Sequence, residues 1–507
     1  MQETNQKIGR LIYQIRQERG LTQSAFAKKL GTSQSAVNRI EHGKQNLSLD
    51  TLGRISDVLN KQIISLGEGG INLRIDGGHE LKGEISLKTS KNAAVALLCA
   101  SLLNQGVTRF KSFPKIEEVF RIIEVLESIG VRVKWLEGND LEIHVPQKLD
   151  LEAMNKDSAR KTRSVLMLLG SLMHRHSNFK IPYAGGCKLG ARTVAPHLFA
   201  LEQFGMNVVA KTGHYNVTVR KKVPSERVVL YEQGNTVTNN VLMAAALTPG
   251  KTVIQSASAD YMVQDLCYFL TKLGVKIEGI GSPVLTVEGL HSIKKNVTYA
   301  PTEDPIEAML FISAAVATNS QLTIQRVPLY WIGLELLKLR KMGLKMDTGP
   351  IYKAANGIID LADLKIHKHN GKLVALDEKL HPNLWPGINP DNIPYFVPIA
   401  AVCQGRTVIN DWMYENRAIY FTEMTKIGMS VELADPHRIY IDGPTSFRRA
   451  DVVSPPALRP ASLLLIGMLA AHGVSVLRNV YTINRGYEDL AARLNSLGAQ
   501  IEVIHEV

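Results

Sequence analysis

The sequence predicts an α/β protein of six repeated units with a small all-α module in front. Two observations carry the six-unit reading. The first is a pattern of apolar residue, two variable residues, apolar residue and glycine that occurs six times: Leu126 to Gly130, Leu201 to Gly205, Leu270 to Gly274, Leu339 to Gly343, Met424 to Gly428 and Leu494 to Gly498. A short alternating run follows each glycine, such as Val131 to Trp135 or Val275 to Ile277. A helix that ends on a C-cap glycine and leads into a strand explains both parts. The second is spacing: the glycines lie 69 to 85 residues apart, too far for ordinary solenoid units and right for small α/β modules. Six such modules suggest two lobes of three, with ligand sites in the cleft between them. The all-α module rests on a purely helical periodicity before the first copy.

Composition narrows the function classes. The chain has 507 residues, 45% of them hydrophobic and 21% charged, so it is a globular multidomain protein rather than a disordered one. Residues 1–66 hold ten Lys/Arg against five Asp/Glu, and so carry +5 of the net +12. That local excess points to a polyanion partner for the N-terminus. Cys99, Cys187, Cys267 and Cys403 lie far apart and form no CxxC pair, which argues against zinc and against a disulfide framework. No metal and no cofactor is expected. No signal-peptide segment opens the chain, and the longest apolar run, Leu463 to Ala471, is too short to span a bilayer. A cytoplasmic protein with no membrane contact is expected.

The first module is expected at residues 1–66. Ile8, Leu11, Ile12 and Ile15 recur at helical spacing. Thr22 and Ser33 are N-caps for two further helices, and Gly31 supplies the tight turn between them. Phe26, Ala27, Leu30, Val37 and Ile40 would share one small core. This stretch resembles the phage-repressor (Cro/C1) type of helix-turn-helix, with Ser33 to Glu41 as recognition helix. On that resemblance Gln23, Gln34, Ser35, Asn38 and Arg39 are the candidate DNA contacts. Gln and Asn can pair with adenine edges, while Lys28, Lys29 and Lys44 suit phosphates. A homodimer on a two-fold site would be the binding form. A bundle used for dimerisation or peptide contact is the other reading. Residues 61–72 hold three glycines and end the helical pattern, so a linker is placed at 67–72.

Behind it, Ala184-Gly185-Gly186-Cys187-Lys188-Leu189-Gly190-Ala191-Arg192 reads as a loop, because three glycines in six residues suit neither helix nor strand. Lys188 and Arg192 would favour the thiolate of Cys187. An ordinary turn holding a small apolar cysteine fits the same residues.

Ordered motifs then spread across 71–507. They are Ser90-Lys91-Asn92-Ala93-Ala94, the Cys187 loop, Asp304 with Ile306-Glu307-Ala308, Glu415-Asn416-Arg417, Leu458-Arg459, and Asn484-Arg485-Gly486-Tyr487-Glu488. Here the chain resembles the enolpyruvyl transferases, and within them the UDP-N-acetylglucosamine 1-carboxyvinyltransferases of peptidoglycan synthesis. The resemblance implies a two-lobed inside-out α/β barrel. Lobe A would be 91–300, carrying the Cys loop, and lobe B 73–90 with 301–507. It implies transfer of the enolpyruvyl group of phosphoenolpyruvate to UDP-N-acetylglucosamine or a related nucleotide sugar. Cys187 would protonate the methylene carbon and Asp391 would be the base at the acceptor hydroxyl. Lys91, Asn92, Arg192, Arg459 and Arg485 would bind phosphoenolpyruvate; Arg163, His197, Asp304, Met413 and Arg417 would bind the acceptor. The residue types agree: phosphate and carboxylate need fixed cations, and a lysine at a helix N-terminus beside guanidinium forks provides them.

Four positions depart from the family. Ala457 stands where an acidic residue usually precedes Leu458-Arg459. Glu232, with Gly234-Asn235-Thr236 after it, replaces a Lys with Ser-Val-Gly. Ala195 replaces an acidic residue near the uracil, and Pro305 an arginine. The phosphoenolpyruvate end thus reads as intact and the sugar-nucleotide end as rebuilt. The alternative function is a transcription regulator whose degenerate transferase lobes sense a cell-wall precursor or phosphoenolpyruvate.

Overall fold

The computed structural model describes residues 71–183, 193–220 and 226–505, and in the N-terminal part 8–9, 12–13, 15–17, 21–45, 47, 51, 54–55 and 58. The chain divides into two compact units, Met1–Asn72 with Ile504–Val507, and Leu73–Val503.

In the first unit, Thr22 caps the helix Gln23–Leu30, its hydroxyl accepting the Ala25 N–H at 3.1 Å. Gly31 follows with φ 70°, the left-handed turn that an L side chain resists. Ser33 caps the helix Gln34–Glu41 in the same way through the Ala36 N–H. Phe26, Ala27, Leu30, Val37 and Ile40 form one core with Ile12, Ile15 and Ile55. Leu11 lies outside the described residues. Beneath the helices Arg16 forms a buried fork with Glu41, Nε to Oε1 at 2.5 Å and Nη2 to Oε2 at 3.0 Å. Gln34, Ser35, Asn38 and Arg39 remain exposed together on the second helix. Gln23 differs from expectation: its amide nitrogen donates to Glu41 Oε2 at 2.8 Å, so that donor is committed inside the module.

The second unit holds six sheets of three to five strands. Three draw every strand from residues 107–299, and the other three take the remaining strands. All six repeat glycines adopt positive φ, between 83° at Gly205 and 104° at Gly274. Five of them follow an α-helix, as the pattern predicts. The sixth, Gly428, follows a 3₁₀ stretch, Ala418–Ile427. There Thr422 and Thr425 donate their hydroxyls to the carbonyls of Ile419 and Thr422, three residues back, at the tighter spacing of a 3₁₀ turn.

The inside-out arrangement follows from which elements are apolar all round. The helices Lys91–Ser101, Asn235–Ala246, Pro305–Ala317 and Leu458–Ala470 are buried along nearly their whole lengths. A helix without a polar face must be interior. The strands alternate instead, as in Leu322–Val327 or Val284–Gly289, and present one face outward. Helices therefore form the core and sheets the wall. The first N–H groups of these helices have no partner within the helix, so polar side chains must meet them, as Ser90 and Asp304 do. The run from Leu463 to Ala471 is one of these core helices and its end. Among the described residues no helix is long and apolar enough to cross a membrane.

Candidate active site

Ser90 opens the site. Its extended backbone and hydroxyl cap the helix Lys91–Ser101, and the same hydroxyl meets Tyr261 Oη at 3.0 Å. Lys91 is the first helical residue. Burial pulls its ammonium down; the charges of Arg485 and Arg459 press the same way, while Glu118 and Asp391 oppose them. All five groups therefore share one electrostatic neighbourhood. Glu118, from the helix Glu117–Ser128, is buried and accepts hydrogen bonds from Arg485 Nη2 at 2.8 Å, Ser164 Oγ at 3.1 Å and Thr162. Burial alone would raise its carboxyl, but Lys91 and Arg485 outweigh that and hold it down at about 2.

Arg459 lies in the first turn of the helix Leu458–Ala470 and is 7% exposed. It bonds Tyr487 and reaches Asp391 Oδ2 at 3.4 Å. Asp391 also faces Arg417 Nη1 and Tyr414 Oη, each at 3.4 Å. Arg417 is itself anchored by Asp411, through Nε at 2.5 Å and Nη2 at 2.7 Å, and by the Pro390 carbonyl at 2.6 Å. Asp304 caps the helix Pro305–Ala317, accepting the Ile306 N–H at 2.8 Å. Burial pushes its carboxyl up to about 6 against the pull of Arg459. Lys91, Asp304, Asp391, Arg417, Arg459 and Arg485 thus meet, although 394 positions separate the first from the last. Asn92 is half-buried beside Lys91, and Met413 is half-buried on the loop between Asp411 and Arg417. Cys187 and Arg192 lie outside the described residues.

Arg163 and His197 form a neighbouring group. Arg163 Nη2 donates to the Thr193 carbonyl at 2.8 Å. His197 is 4% exposed. Asn240 Nδ2 donates to its Nδ1 at 2.9 Å, because the Asn240 oxygen is already taken by the Gly170 N–H. That assigns the proton to Nε2, which meets Thr236 Oγ1 at 3.3 Å. Both ring nitrogens of His197 thus meet side chains of the helix Asn235–Ala246. Burial, with Arg163 in support, lowers it to about 4. A histidine depressed in the native state is bound by protons more readily when unfolded. Its stabilising effect is complete above about pH 6.5 and is lost as pH falls toward 4. That window is worth up to about 3 kcal/mol at 1.36 kcal/mol per unit. His197→Gln should therefore flatten the fall in melting temperature between pH 6.5 and 4; a parallel curve in the variant would show that other groups control it.

The four departures have physical readings. Pro305 occupies the first helical position, where its missing N–H costs nothing. Ala457 is a buried N-cap with no side-chain acceptor. Ala195 is the half-buried first residue of the helix Ala195–Glu202. Glu232 is exposed and folds toward Gly234, its Oε1 3.2 Å from where a β-carbon would stand there. It brings a negative charge to a helix N-terminus whose cap residue has no side chain. Beside it the exposed rings of Tyr231 and Phe199 meet edge to face at 5.7 Å.

Sequence reasoning did not find Glu118, Asp411 or Tyr487 as partners. Glu118 sits on a helix whose other first-turn acid, Glu117, pairs with Arg121, and nothing local separates the two. Tyr487 lay inside a quoted motif, but its contact with Arg459 spans 28 positions.

The chain matches the family EPSP synthase (3-phosphoshikimate 1-carboxyvinyltransferase) over residues 75–494 and a helix-turn-helix family over residues 12–66. The UDP-N-acetylglucosamine 1-carboxyvinyltransferase of Treponema denticola is 32% identical over 429 residues, which is 85% of this chain and 98% of that relative. The enzyme of that name from Treponema pallidum is 31% identical over 432 residues, covering 84% and 98%. Among solved structures, the enolpyruvyl transferase NikO from Streptomyces tendae superposes with a TM-score of 0.72 at 23% identity, covering 87% of this chain and all of that one. EPSP synthase from Acinetobacter baumannii superposes at 0.66 and 16% identity, covering 86% and 100%. The two structures speak for the fold alone, six sheets wrapped around apolar helices. With the family match running through every described motif of the site, the chain belongs to the EPSP synthase family of enolpyruvyl transferases, and carries a helix-turn-helix domain in front.

Proposed function

We propose that residues 73–507 transfer the enolpyruvyl group of phosphoenolpyruvate to the hydroxyl of UDP-N-acetylglucosamine or a related acceptor, and that residues 1–66 bind DNA. The observation that supports the first part is the convergence of Lys91, Arg459 and Arg485 around Asp391. Phosphoenolpyruvate carries a phosphate and a carboxylate, and these three buried or half-buried cations in one neighbourhood are the groups that such a ligand needs. In the addition step the acceptor oxygen bonds the central carbon of phosphoenolpyruvate and gives its proton to Asp391. Cys187 gives a proton to the methylene carbon. In the elimination step that carbon loses a proton, the carbon–oxygen bond to phosphate breaks, and inorganic phosphate leaves. Residues 91–300 and residues 73–90 with 301–507 would be the lobes that hold the two substrates.

The uncapped Ala457 and the carboxylate of Glu232 favour a second reading, a regulator that binds these ligands without turnover. Phosphate release from phosphoenolpyruvate and UDP-N-acetylglucosamine separates the two readings. Release at a rate typical of enzymes supports transfer, whereas binding of either compound with no release supports the sensor. Glu232 also predicts weak UDP-N-acetylglucosamine binding. A lost charge-assisted contact costs about 1.5–3 kcal/mol, or roughly tenfold to a hundredfold in affinity. Glu232→Lys should recover that factor by calorimetry. Tight binding by the wild type would mean that other residues hold the nucleotide, and weak binding unchanged in the variant would point to another acceptor.

For the DNA module, selection from random duplexes at moderate salt should return a two-fold motif bound by a dimer. Gln34→Ala and Ser35→Ala should change the motif. Lys28→Ala should weaken all sequences alike and reduce the salt slope by about 1. A selection that enriches nothing would reassign residues 1–66 to protein contact.

A further inference from the structure

The turn that carries Asp391 is tied to the start of the helix Tyr261–Leu273 through the side chain of Asn389. Asn389 has both ends of its amide committed. Its Oδ1 accepts the Asp391 N–H at 2.9 Å, and its Nδ2 donates to Asp260 Oδ2 at 3.1 Å. Rotating the amide would set oxygen against the Asp260 carboxyl and nitrogen against a backbone N–H, so only one orientation is allowed. Asp260 caps the helix Tyr261–Leu273 and is 7% exposed. Asn235, the first residue of the helix Asn235–Ala246, reaches it through Ser258. Asn235 keeps its own oxygen on Ser258 Oγ at 2.5 Å, and the Asp260 N–H donates to that same Oγ at 3.2 Å. Buried Glu335 closes the turn from the other side, its Oε1 accepting the Asn389 N–H at 3.1 Å and Asn392 Nδ2 at 2.8 Å.

We propose that Asn235, Ser258, Asp260 and Asn389 form a hydrogen-bonded relay that positions Asp391, linking the end of the site marked by Glu232 to the base. The inference rests on the enolpyruvyl-transfer reading and adds residues that this reading does not require. Asp260 and Asn389 are positioning residues, because neither is placed against a reacting atom. The physical need is clear. Asp391 sits between Arg459 and Arg417 at 3.4 Å from each, contacts long enough for a small backbone shift to favour one guanidinium over the other. A displacement of about 1 Å at a reacting group costs on the order of a hundredfold in rate. The relay adds a restraint on the turn to those from Glu335 and from Arg417 on the Pro390 carbonyl.

An exchange of the two side chains tests it. Asn389→Asp alone sets two carboxyl groups face to face. Asp260→Asn with Asn389→Asp rebuilds the bond with donor and acceptor reversed, and asparagine still caps the helix. Phosphate release from phosphoenolpyruvate with UDP-N-acetylglucosamine, beside the melting temperature of each protein, gives the readout. The expected result is a kcat about a hundredfold lower in Asn389→Asp, recovery in the double variant to within about tenfold of wild type, and an unchanged KM for phosphoenolpyruvate. A purely structural role would restore the melting temperature in the double variant without kcat following it. Should Asn389→Asp fail to fold, Asn389→Ala replaces it. That variant should lose a similar factor in kcat, and adding Asp260→Asn should not rescue it. An active wild type indifferent to the exchange, or an Asn389→Ala protein within about threefold of wild-type kcat, overturns the relay alone. A wild type that releases no phosphate overturns the parent reading and the relay with it.

Discussion

Asp391→Asn is expected to lower kcat for phosphate release by about 10²–10⁴-fold, the usual range for removing a positioned acid or base. The shape is kept and the turn can still form, since the Asn389 oxygen bonds the Asp391 backbone N–H rather than its side chain. What changes is the charge. Arg459 and Arg417 lose their shared carboxylate, and Arg459 keeps its bond to Tyr487 and the influence of the Asp304 carboxyl. An anionic substrate should be held at least as well by the more positive site, so KM for phosphoenolpyruvate should stay level or fall. That split, kcat down with KM not raised, identifies a group acting on the reacting atoms rather than one that holds the substrate. A kcat within about tenfold of wild type would move the base elsewhere in the cluster, with Asp304 the next carboxyl to replace.

The parts of the fold that could be read from the sequence are those where one residue type answers one local demand. Gly130, Gly205, Gly274, Gly343, Gly428 and Gly498 all take the left-handed conformation, and glycine takes it most easily. Thr22 and Ser33 cap the helices they precede, because a hydroxyl one residue ahead of a helix has few other uses. The site was legible only in halves. Lys91, Arg459 and Arg485 stood out because they fall within the family's motifs, not because of their residue type. The groups that balance or orient them did not stand out. Glu118 lies 367 positions from Arg485, and Asp260 lies 129 from Asn389. A buried carboxylate and a solvated one look alike until the fold brings their partners together. Gln23 has an internal partner that its position did not announce. A polar residue at the start of a helix-turn-helix helix reads as facing DNA, yet burial of the Arg16–Glu41 fork leaves Glu41 able to accept one more donor, and Gln23 supplies it.

Cys187 is expected to be the one cysteine of the four that a phosphonate epoxide of the fosfomycin type alkylates in the native protein. Cys99, Cys267 and Cys403 are 0%, 1% and 0% exposed. Burial pushes all three thiols up, that of Cys403 to about 12, and Cys403 also donates to the Ile399 carbonyl at 3.2 Å. At pH 8 a thiol with that value is ionised to roughly one part in 10⁴, and the thiolate is the nucleophile. In the sequence Cys187 has Lys188 beside it and Arg192 five positions on, within a glycine-rich stretch, and positive charge near a thiol favours its thiolate. The reagent resembles phosphoenolpyruvate, so the cations that would hold the substrate should also bring the epoxide to the sulfur. Peptide mass mapping after brief exposure should place the adduct on the peptide containing Cys187. Cys187→Ser should lower kcat by about 10²–10⁴-fold, because a serine hydroxyl is far too weak an acid to protonate the methylene carbon. Cys187→Asp should keep part of the activity and escape alkylation, since a carboxyl can give the proton but does not open the epoxide readily. Labelling first at Cys99, Cys267 or Cys403, or a Cys187→Ser protein with undiminished kcat, would assign the proton donor to another residue and leave the glycine loop as an ordinary turn.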